Sequence, residues 1–169
     1  MRQIKINSTL GNEILSVQEV KDYVRIDTSA DDALISGMIS QARIWCENYI
    51  SRDIVAKTRT YYVPETTGIF DIPFGPIDSI DSVTIDGTAF TGYTMLGLDN
   101  ETIDLDGPAE KVKINYTTSG LNDNLLHQAI KQLAVTLYEN RSDFEEGKIG
   151  SIVPTSTKML LNDHKNMFI

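Results

Sequence analysis

Residues 21–62, KDYVRIDTSADDALISGMISQARIWCENYISRDIVAKTRTYY, place a long amphipathic segment between an acidic start and a β-rich end. Thr28 and Ser29 are residue types that cap helices, and Asp31 and Asp32 put carboxylates at the positive end of a helix dipole. After them, apolar residues recur at helical spacing. The buried stripe comprises Ile35, Met38, Ile39, Ala42, Cys46 and Tyr49, and the opposite face carries Ser36, Ser40, Arg43 and Glu47. We therefore predict a long helix with one buried and one solvent-facing side.

A shorter helix is predicted just before it. Ser16 with Glu19 three residues later has the form of a capping box, in which the serine oxygen and the glutamate each satisfy a free backbone amide. We expect this helix to end at about Val24.

Residues 54–116 change to short β-rich runs that are separated by Gly, Pro, Asp and Asn. These runs are IVAKTRTYYV, IFDIP, SIDSVTI, FTGYTML, TIDL and KVKINY. Asp86-Gly87 predicts a tight hairpin turn, because type I′ turns require positive φ. Asp106-Gly107-Pro108 predicts another turn. The segment is interpreted as an antiparallel β unit.

Helical spacing returns after Ser119-Gly120. The apolar stripe of this third helix is Leu126, Ala129, Ile130, Leu133, Ala134, Leu137 and Tyr138. Asn122 or Asp123 is the expected cap, and the helix is expected to end near Arg141. Pro154 is suited to opening a last short helix over residues 155–161.

The order of these elements predicts an α+β fold in which a β unit is inserted into a helical body. We expect a single domain over residues 1–169, with the helical body at 1–53 and 119–169 and the β unit at 54–118. The second and third helices each need a partner for an apolar face, and each other is the simplest choice.

Composition limits the classes of function. With 169 residues and 41% hydrophobic content, the chain can bury a real core, and no apolar run approaches the roughly 20 residues of a membrane helix. The N-terminal residues lack the apolar core of a signal peptide, so synthesis in the cytosol is expected. A net charge of −9 without a Lys/Arg cluster argues against tight binding to a phosphate backbone.

The sequence contains no complete catalytic, cofactor or metal motif. Cys46 lies on the buried stripe and is read as an inert core thiol, and neither His127 nor His164 belongs to a recognisable triad or metal pattern. No Gly-rich phosphate loop is present. The best metal candidates are Asp99, Glu101, Asp104 and Asp106, which lack the further ligands of an EF-hand loop.

Aromatic residues of the β unit allow a second interpretation. Tyr61, Tyr62, Phe70, Phe74, Phe90 and Tyr93 are arranged on predicted strands and loops where they either pack in the core or line a sugar-binding face. The alternative hypothesis is therefore a β-unit binding module that recognises a glycan or another virion protein.

Four segments resemble the head-tail connector, or adaptor, family of tailed double-stranded DNA phages and prophages. These are LSVQEVKDYVRIDTSADDALISGMISQARIWCENYISRDI, IFDIPFGPIDSIDSVTIDG, LLHQAIKQLAVTLYENR and VPTSTKMLL, which occur in the family's order. The resemblance implies a non-enzymatic structural protein without a cofactor. It also implies a ring of about a dozen copies beneath the portal protein, with heterologous contacts that close.

The same resemblance implies the partners and site residues. DNA would pass through the ring without tight binding, a stopper or tail-completion protein would dock below, and the protein would be made in the bacterial host cytoplasm and end in the virion. The expected portal contacts are Lys158, Leu161, Met167, Phe168 and Ile169, in a C-terminal segment suited to ordering on binding. The candidates for the ring interface or the DNA channel are Ser36, Ser40, Arg43 and Glu47.

Overall fold

The computed structural model describes residues 1–140 and 153–165, in which helices and antiparallel strands form an α+β fold as predicted. The elements in chain order are β1 (Gln3–Thr9), α1 (Val17–Val24), α2 (Asp32–Ile50), β2 (Lys57–Thr66), β3 (Ile69–Asp71), β4 (Ile77–Ile85), β5 (Thr88–Ala89), β6 (Thr94–Leu96), β7 (Thr102–Asp104), β8 (Ala109–Thr118), α3 (Asn124–Glu139) and α4 (Thr155–Asn162). Two compact units emerge. The β unit comprises 1–12 and 51–121, and the helical unit comprises 13–50 and 122–169.

The predicted capping box starts α1. The Ser16 hydroxyl accepts a hydrogen bond from the Glu19 amide, and a Glu19 carboxylate oxygen accepts one from the Ser16 amide at 2.8 Å. The helix ends at Val24, where Arg25 adopts a left-handed conformation with φ 59°. The sequence prediction of both ends is therefore confirmed.

The helical unit is organised around the contact of α2 with α3, and α4 packs on α3. The buried residues of α2 include the predicted Ile35, Met38, Ile39, Ala42 and Cys46, whereas Tyr49 is half-buried. Asp123 caps α3, since its Oδ1 accepts a hydrogen bond from the Leu125 amide at 2.7 Å. Among the described residues, no helix is long and apolar enough to cross a membrane.

The β unit contains a five-stranded antiparallel sheet in the order β1-β2-β8-β4-β5 and a three-stranded sheet in the order β3-β7-β6. Its core contains Tyr61, Val63, Phe70, Ile72, Ile77, Val83, Ile103, Leu105, Val112, Ile114 and Tyr116. Alternate residues of β2 and β8 contribute to this core, as expected for strands with one buried face.

The strand β1 was not predicted. It pairs antiparallel with β2, so residues 1–12 belong to the β unit and their assignment to the helical body 1–53 is wrong. All seven residues of β1 are exposed, and Ile4 and Ile6 are the only two large apolar side chains in it. A strand at a sheet edge that buries little surface has a weak hydrophobic pattern in the sequence.

The predicted turn at Asp86-Gly87 connects β4 and β5. Both residues have positive φ, at 48° and 82°, as a type I′ hairpin turn requires. The predicted turn at 106–108 links β7 to β8, which lie in different sheets. Asp106 and Gly107 again have positive φ.

Candidate interaction surfaces

The polar side of α2 is only partly the exposed face that the sequence predicts. Ser36 is exposed and Ser40 is half-buried, but Arg43 and Glu47 are buried, with 6% and 3% exposure. The prediction of a solvent-facing side is therefore wrong for Arg43 and Glu47. The proposed ring or channel role of the two serines stays a prediction.

The reason for this burial is an ion-pair cluster inside the helical unit. Arg43 Nε donates to Glu13 Oε2 at 2.7 Å, and Arg43 Nη1 donates to Glu47 Oε2 at 2.8 Å. Ser40 Oγ donates to the other oxygen of Glu13 at 2.8 Å. Burial by itself would lower the pKa of Arg43, but the bonds to Glu13 and the charge of Glu47 raise it overall. The guanidinium therefore stays charged and fixes these side chains.

The exposed stripe of α2 lies on a different line from the one predicted. It contains Leu34, Gly37, Gln41, Ile44 and Asn48, which are spaced three and four residues apart and are all exposed. Leu34 and Ile44 keep 40% and 49% of their surface in solvent. A helix of the monomer thus presents apolar side chains that the helical unit itself does not cover.

An apolar cavity of about 310 Å³ adjoins this stripe within the helical unit. Gln41, Trp45, Leu133, Leu137 and Val153 line it. Trp45 stacks on Tyr49 with 5.1 Å between ring centroids. The stripe and the cavity together form a mainly apolar surface that we call the α2 surface.

The residues proposed for portal contact have different positions. Lys158 is half-buried on α4, whereas Leu161 is fully buried with 0% exposure, so the exposure needed for a portal contact is absent at Leu161. Met167, Phe168 and Ile169 lie outside the described residues. At the end of α4, Asn162 accepts a hydrogen bond from the Tyr49 hydroxyl at 3.1 Å.

The start of β2 is held by a second buried cluster, centred on Asp53. Lys57 Nζ lies 3.0 Å from one carboxylate oxygen, and Arg59 donates to both oxygens, at 2.8 and 2.6 Å. The Thr118 hydroxyl donates to the same carboxylate at 2.9 Å. The Arg59 guanidinium also lies 3.9 Å from the centre of the Phe74 ring. These contacts fix β2 against β8 and the loop before β4.

The carboxylates considered for a metal do not converge. Asp99 and Glu101 both accept hydrogen bonds from Arg52, the latter at 2.8 Å, so a guanidinium occupies the position between them. Asp104 accepts a bond from the Asp106 amide at 2.8 Å and shapes the bend. Within residues 1–140 and 153–165, no group of three His, Cys, Asp or Glu residues is placed to hold a metal ion.

The aromatic residues considered for a sugar site pack mostly inward. Tyr61 and Phe70 are buried and contact each other in the core, with 6.3 Å between ring centroids, and Phe90 and Tyr93 pack against the same core. Phe74 is covered by Arg59. This arrangement supports the packing interpretation of the aromatic residues.

Cys46 and the histidines have structural environments. Cys46 has 0% exposure, and burial, with a contribution from Glu47, raises the pKa of its thiol to about 12. A thiol with this pKa is not a nucleophile at neutral pH. His127 contacts the Asn122 side chain, and His164 contacts Asp123, the cap of α3.

One surface of the β unit was missed by sequence reasoning. The outer face of the large sheet carries a continuous chain of side-chain hydrogen bonds from Asn7 to Thr60, Asn115 and Ser82, with donor-acceptor distances of 2.9, 2.6 and 2.7 Å. The row crosses β1, β2, β8 and β4. The polar residues at alternate positions of KVKINY and TRTYY are its only signal in the sequence.

Comparisons with known proteins agree with the resemblance drawn from the sequence. The family of phage gp6-like head-tail connector proteins matches residues 14–96. The neck of an empty gene transfer agent (GTA) particle, computed with C6 symmetry, contains a chain with a TM-score of 0.76 at 17% identity, with 99% of this chain and 97% of that chain covered.

Two further structures have the same fold. The virion of a native gene transfer agent particle matches with a TM-score of 0.69 at 16% identity, and the neck of the native particle, computed with C12 symmetry, matches with 0.69 at 14% identity. Both alignments cover 99% of this chain and 97% of the other chain. No curated protein sequence matches the chain.

Proposed function

Because the chain carries the sequence signature of the phage gp6-like head-tail connector proteins over residues 14–96, we propose that it is a structural adaptor of a virion neck. It assembles as a ring beneath the portal of a tailed phage, a prophage or a related particle. DNA passes through the ring, and a stopper or tail-completion protein docks on its other side. The family match carries the proposal, and the fold shared with neck chains over 99% of the chain supports it.

The ring needs two different surfaces on each subunit, because a cyclic assembly is built from heterologous contacts. We assign the α2 surface to one of these contacts, with a second copy as its partner. Leu34 and Ile44 supply the exposed apolar area, and Ser36 is also exposed on the same helix. A ring of about a dozen copies is compatible with the C12 symmetry of a similar neck.

The electrostatics fit a channel through which DNA slides. The net charge of −9 opposes tight retention of a phosphate backbone. Ion pairs with carboxylates also neutralise four cations of the β unit, namely Arg52, Lys57, Arg59 and Lys111. DNA can then pass the protein without being held.

The test is reconstitution with the portal protein of the same particle, followed by electron microscopy of the complex. We expect a ring of this chain at one end of the portal. Ile44→Glu places a charge in the α2 surface and should abolish the ring, while circular dichroism shows an unchanged fold. Leu98→Glu is the matched control, since Leu98 is fully exposed in the loop between β6 and β7, outside the α2 surface and the C-terminal segment, and it should leave the ring intact. Failure of the wild-type protein to bind the portal would contradict the proposal.

The predicted portal contacts of the C-terminal segment are tested by a truncation that leaves the described contacts of the helical unit in place. Removing residues 166–169 leaves the Tyr49 bond to Asn162 and the position of Lys165 over the Tyr49 ring intact. We expect unchanged melting and weaker attachment to the portal. Equal attachment by the truncated and full chains would show that these residues do not contact the portal.

A further inference from the structure

The two edges of the five-stranded sheet differ in how they are covered. At the β4 edge, β5 pairs with Thr84 and Ile85, the Phe90 amide donates to the Val83 carbonyl at 2.9 Å, and the Ile77 amide donates to the Asp99 carbonyl at 3.0 Å. At the other end, β1 has no strand on its outer side within the described residues. Its backbone groups on that side are therefore available, as at any sheet edge.

The cations of the β unit also fall into two groups, according to whether they form an ion pair with a carboxylate. Arg52, Lys57, Arg59 and Lys111 form ion pairs with carboxylates. Arg2, Lys5 and Lys113 have no carboxylate partner among the described residues, and Arg2 and Lys5 lie at β1. Two of these three cations, Arg2 and Lys5, thus lie at the open edge of the sheet, and Lys113 lies on β8.

A groove of about 500 Å³ runs along the outer face beside this edge. Lys5, Lys113, Thr60 and Tyr62 line it, and no carboxylate does. The strand register places Lys5 opposite Thr60 and Tyr62 opposite Lys113, so all four side chains lie on one face. In a chain of net charge −9, a groove with two unpaired lysines is complementary to an acidic ligand.

We propose that β1 is a strand-addition site for an extended acidic segment of another protein. The segment adds as a sixth strand, its backbone bonds to the open side of β1, and its alternate acidic side chains lie over the groove near Lys5 and Lys113. The proposal rests on the proposed function only for the source of this segment, which is another protein of the same neck. Main-chain bonds supply the register and the lysines select acidic side chains.

A second copy of β1 is a poor partner for this edge. Pairing of two β1 strands would bring Lys5 of both copies close together, and like charges across strands destabilise the pair. An acidic strand avoids the charge penalty.

The test uses the full chain, labelled with ¹⁵N, and three synthetic peptides. One alternates glutamate with threonine and valine, the second has lysine in place of glutamate, and the third is the glutamate peptide with N-methyl groups on one backbone edge. We expect the glutamate peptide to shift the amide resonances of Gln3–Thr9 and to slow hydrogen exchange at those amides of β1 that face away from β2. The lysine and N-methylated peptides should have no such effect.

Single variants test whether the lysines of the groove, rather than the overall charge of the protein, bind the glutamate peptide. We expect Lys5→Ala and Lys113→Ala each to lower the affinity for the glutamate peptide about two- to fivefold, as expected for one cross-strand charge pair. Lys111→Ala on β8 is the matched control, because its ammonium pairs with Asp86 outside the groove, and should change binding little. All of these variants should still form the ring on the portal, so that a failure here is distinct from a failure of the proposed function.

Three results would overturn the proposal. These are absence of protection at β1 with the glutamate peptide, equal binding of the lysine peptide, and protection of β1 that depends on protein concentration without any peptide. The last result would identify a second copy as the occupant of the edge.

Discussion

The two units each bury a cluster of charges, and the clusters have opposite composition. In the β unit, the single carboxylate of Asp53 lies between Lys57 and Arg59, and none of the three residues is more than 4% exposed. The excess charge of this trio is positive. The carboxylate of Asp53 is shared by both buried cations.

In the helical unit the proportions are reversed, because the single cation Arg43 lies between Glu13 and Glu47. The Glu13 side chain keeps 30% of its surface in solvent, whereas Glu47 keeps 4%. A half-exposed partner regains hydration when the pair is broken, and a fully buried one does not. The tolerance of a charge cluster to substitution therefore depends on where the remaining charges lie.

The largest effect is expected for Asp53→Asn. The change removes the carboxylate that both Lys57 and Arg59 contact, and breaking a buried ion pair by removing one partner costs about 3–5 kcal/mol. Urea unfolding measures the loss of stability, and hydrogen exchange at the core amides of β2 and β8 reports it within the β unit. The control is Asp86→Asn, since Asp86 pairs with Lys111 at 70% side-chain exposure and asparagine tolerates its positive φ. A similar loss in both variants would contradict the role assigned to burial.

A smaller effect is expected for Arg43→Met in the helical unit. Methionine replaces the apolar stem, the buried Glu47 loses its bond to Arg43, and Glu13 turns to solvent, so we expect a loss of about 2–3 kcal/mol. Trp45 is the only tryptophan of the chain and lies on α2, so its fluorescence reports this unit. If the single variant were as damaging as Asp53→Asn, the comparison between the clusters would fail.

The sequence was sufficient for elements whose signals are local. The capping box at Ser16, the cap at Asp123 and the hairpin at Asp86-Gly87 each depend on residues within a few positions of one another, and all three are confirmed. The apolar stripe of α2 was also recovered, because burial of one helix face imposes a period on the sequence.

Features that depend on distant partners were not recovered. Arg43 was assigned to solvent from its position on the helix, but its burial depends on Glu13, which is 30 residues away. The strand β1 owes its existence to β2, more than 45 residues later in the chain. Ile4 and Ile6 alternate with polar residues, but two apolar residues in a short segment are a weak signal for a strand. The α2 surface was missed for the same reason, since the neighbours that cover one stripe and leave another open are remote in sequence.

The two units also differ in the space available for a side chain at a glycine. Gly120 in the β unit has φ 76°, and an added Cβ would lie 2.7 Å from the Ile54 carbonyl oxygen, so Gly120→Ala should destabilise by about 1–3 kcal/mol. Gly37 is exposed within α2, and an added Cβ would meet nothing within 4 Å. Gly37→Ala should instead stabilise by about 0.5–1 kcal/mol. Thermal unfolding of both variants checks the opposite signs, and a loss on Gly37→Ala would contradict the open space seen there.

The smallest effect is expected at the capping box, where the charge is exposed rather than buried. Ser16→Ala removes the cap of α1 and should cost about 1 kcal/mol. Hydrogen bonds from the Ser16 side chain and backbone lower the pKa of Glu19 below its ordinary value of 4.5. The unfolded chain therefore binds the proton more readily than the folded one. The contribution of Glu19 to stability is complete above pH 4.5 and is lost as the pH falls through the lowered value.

Hydrogen exchange in α1, followed as the pH falls below 4.5, should therefore show loosening of the first turn in the wild type. The dependence on pH should be weaker in Ser16→Ala, in which one of the bonds that lower the pKa is absent. Ser36→Ala on the exposed side of α2 is the control and should keep the wild-type profile. Because Glu19 is exposed, both effects should remain well below that of Asp53→Asn, and a larger one would show that exposure does not govern the response of charged groups in this protein.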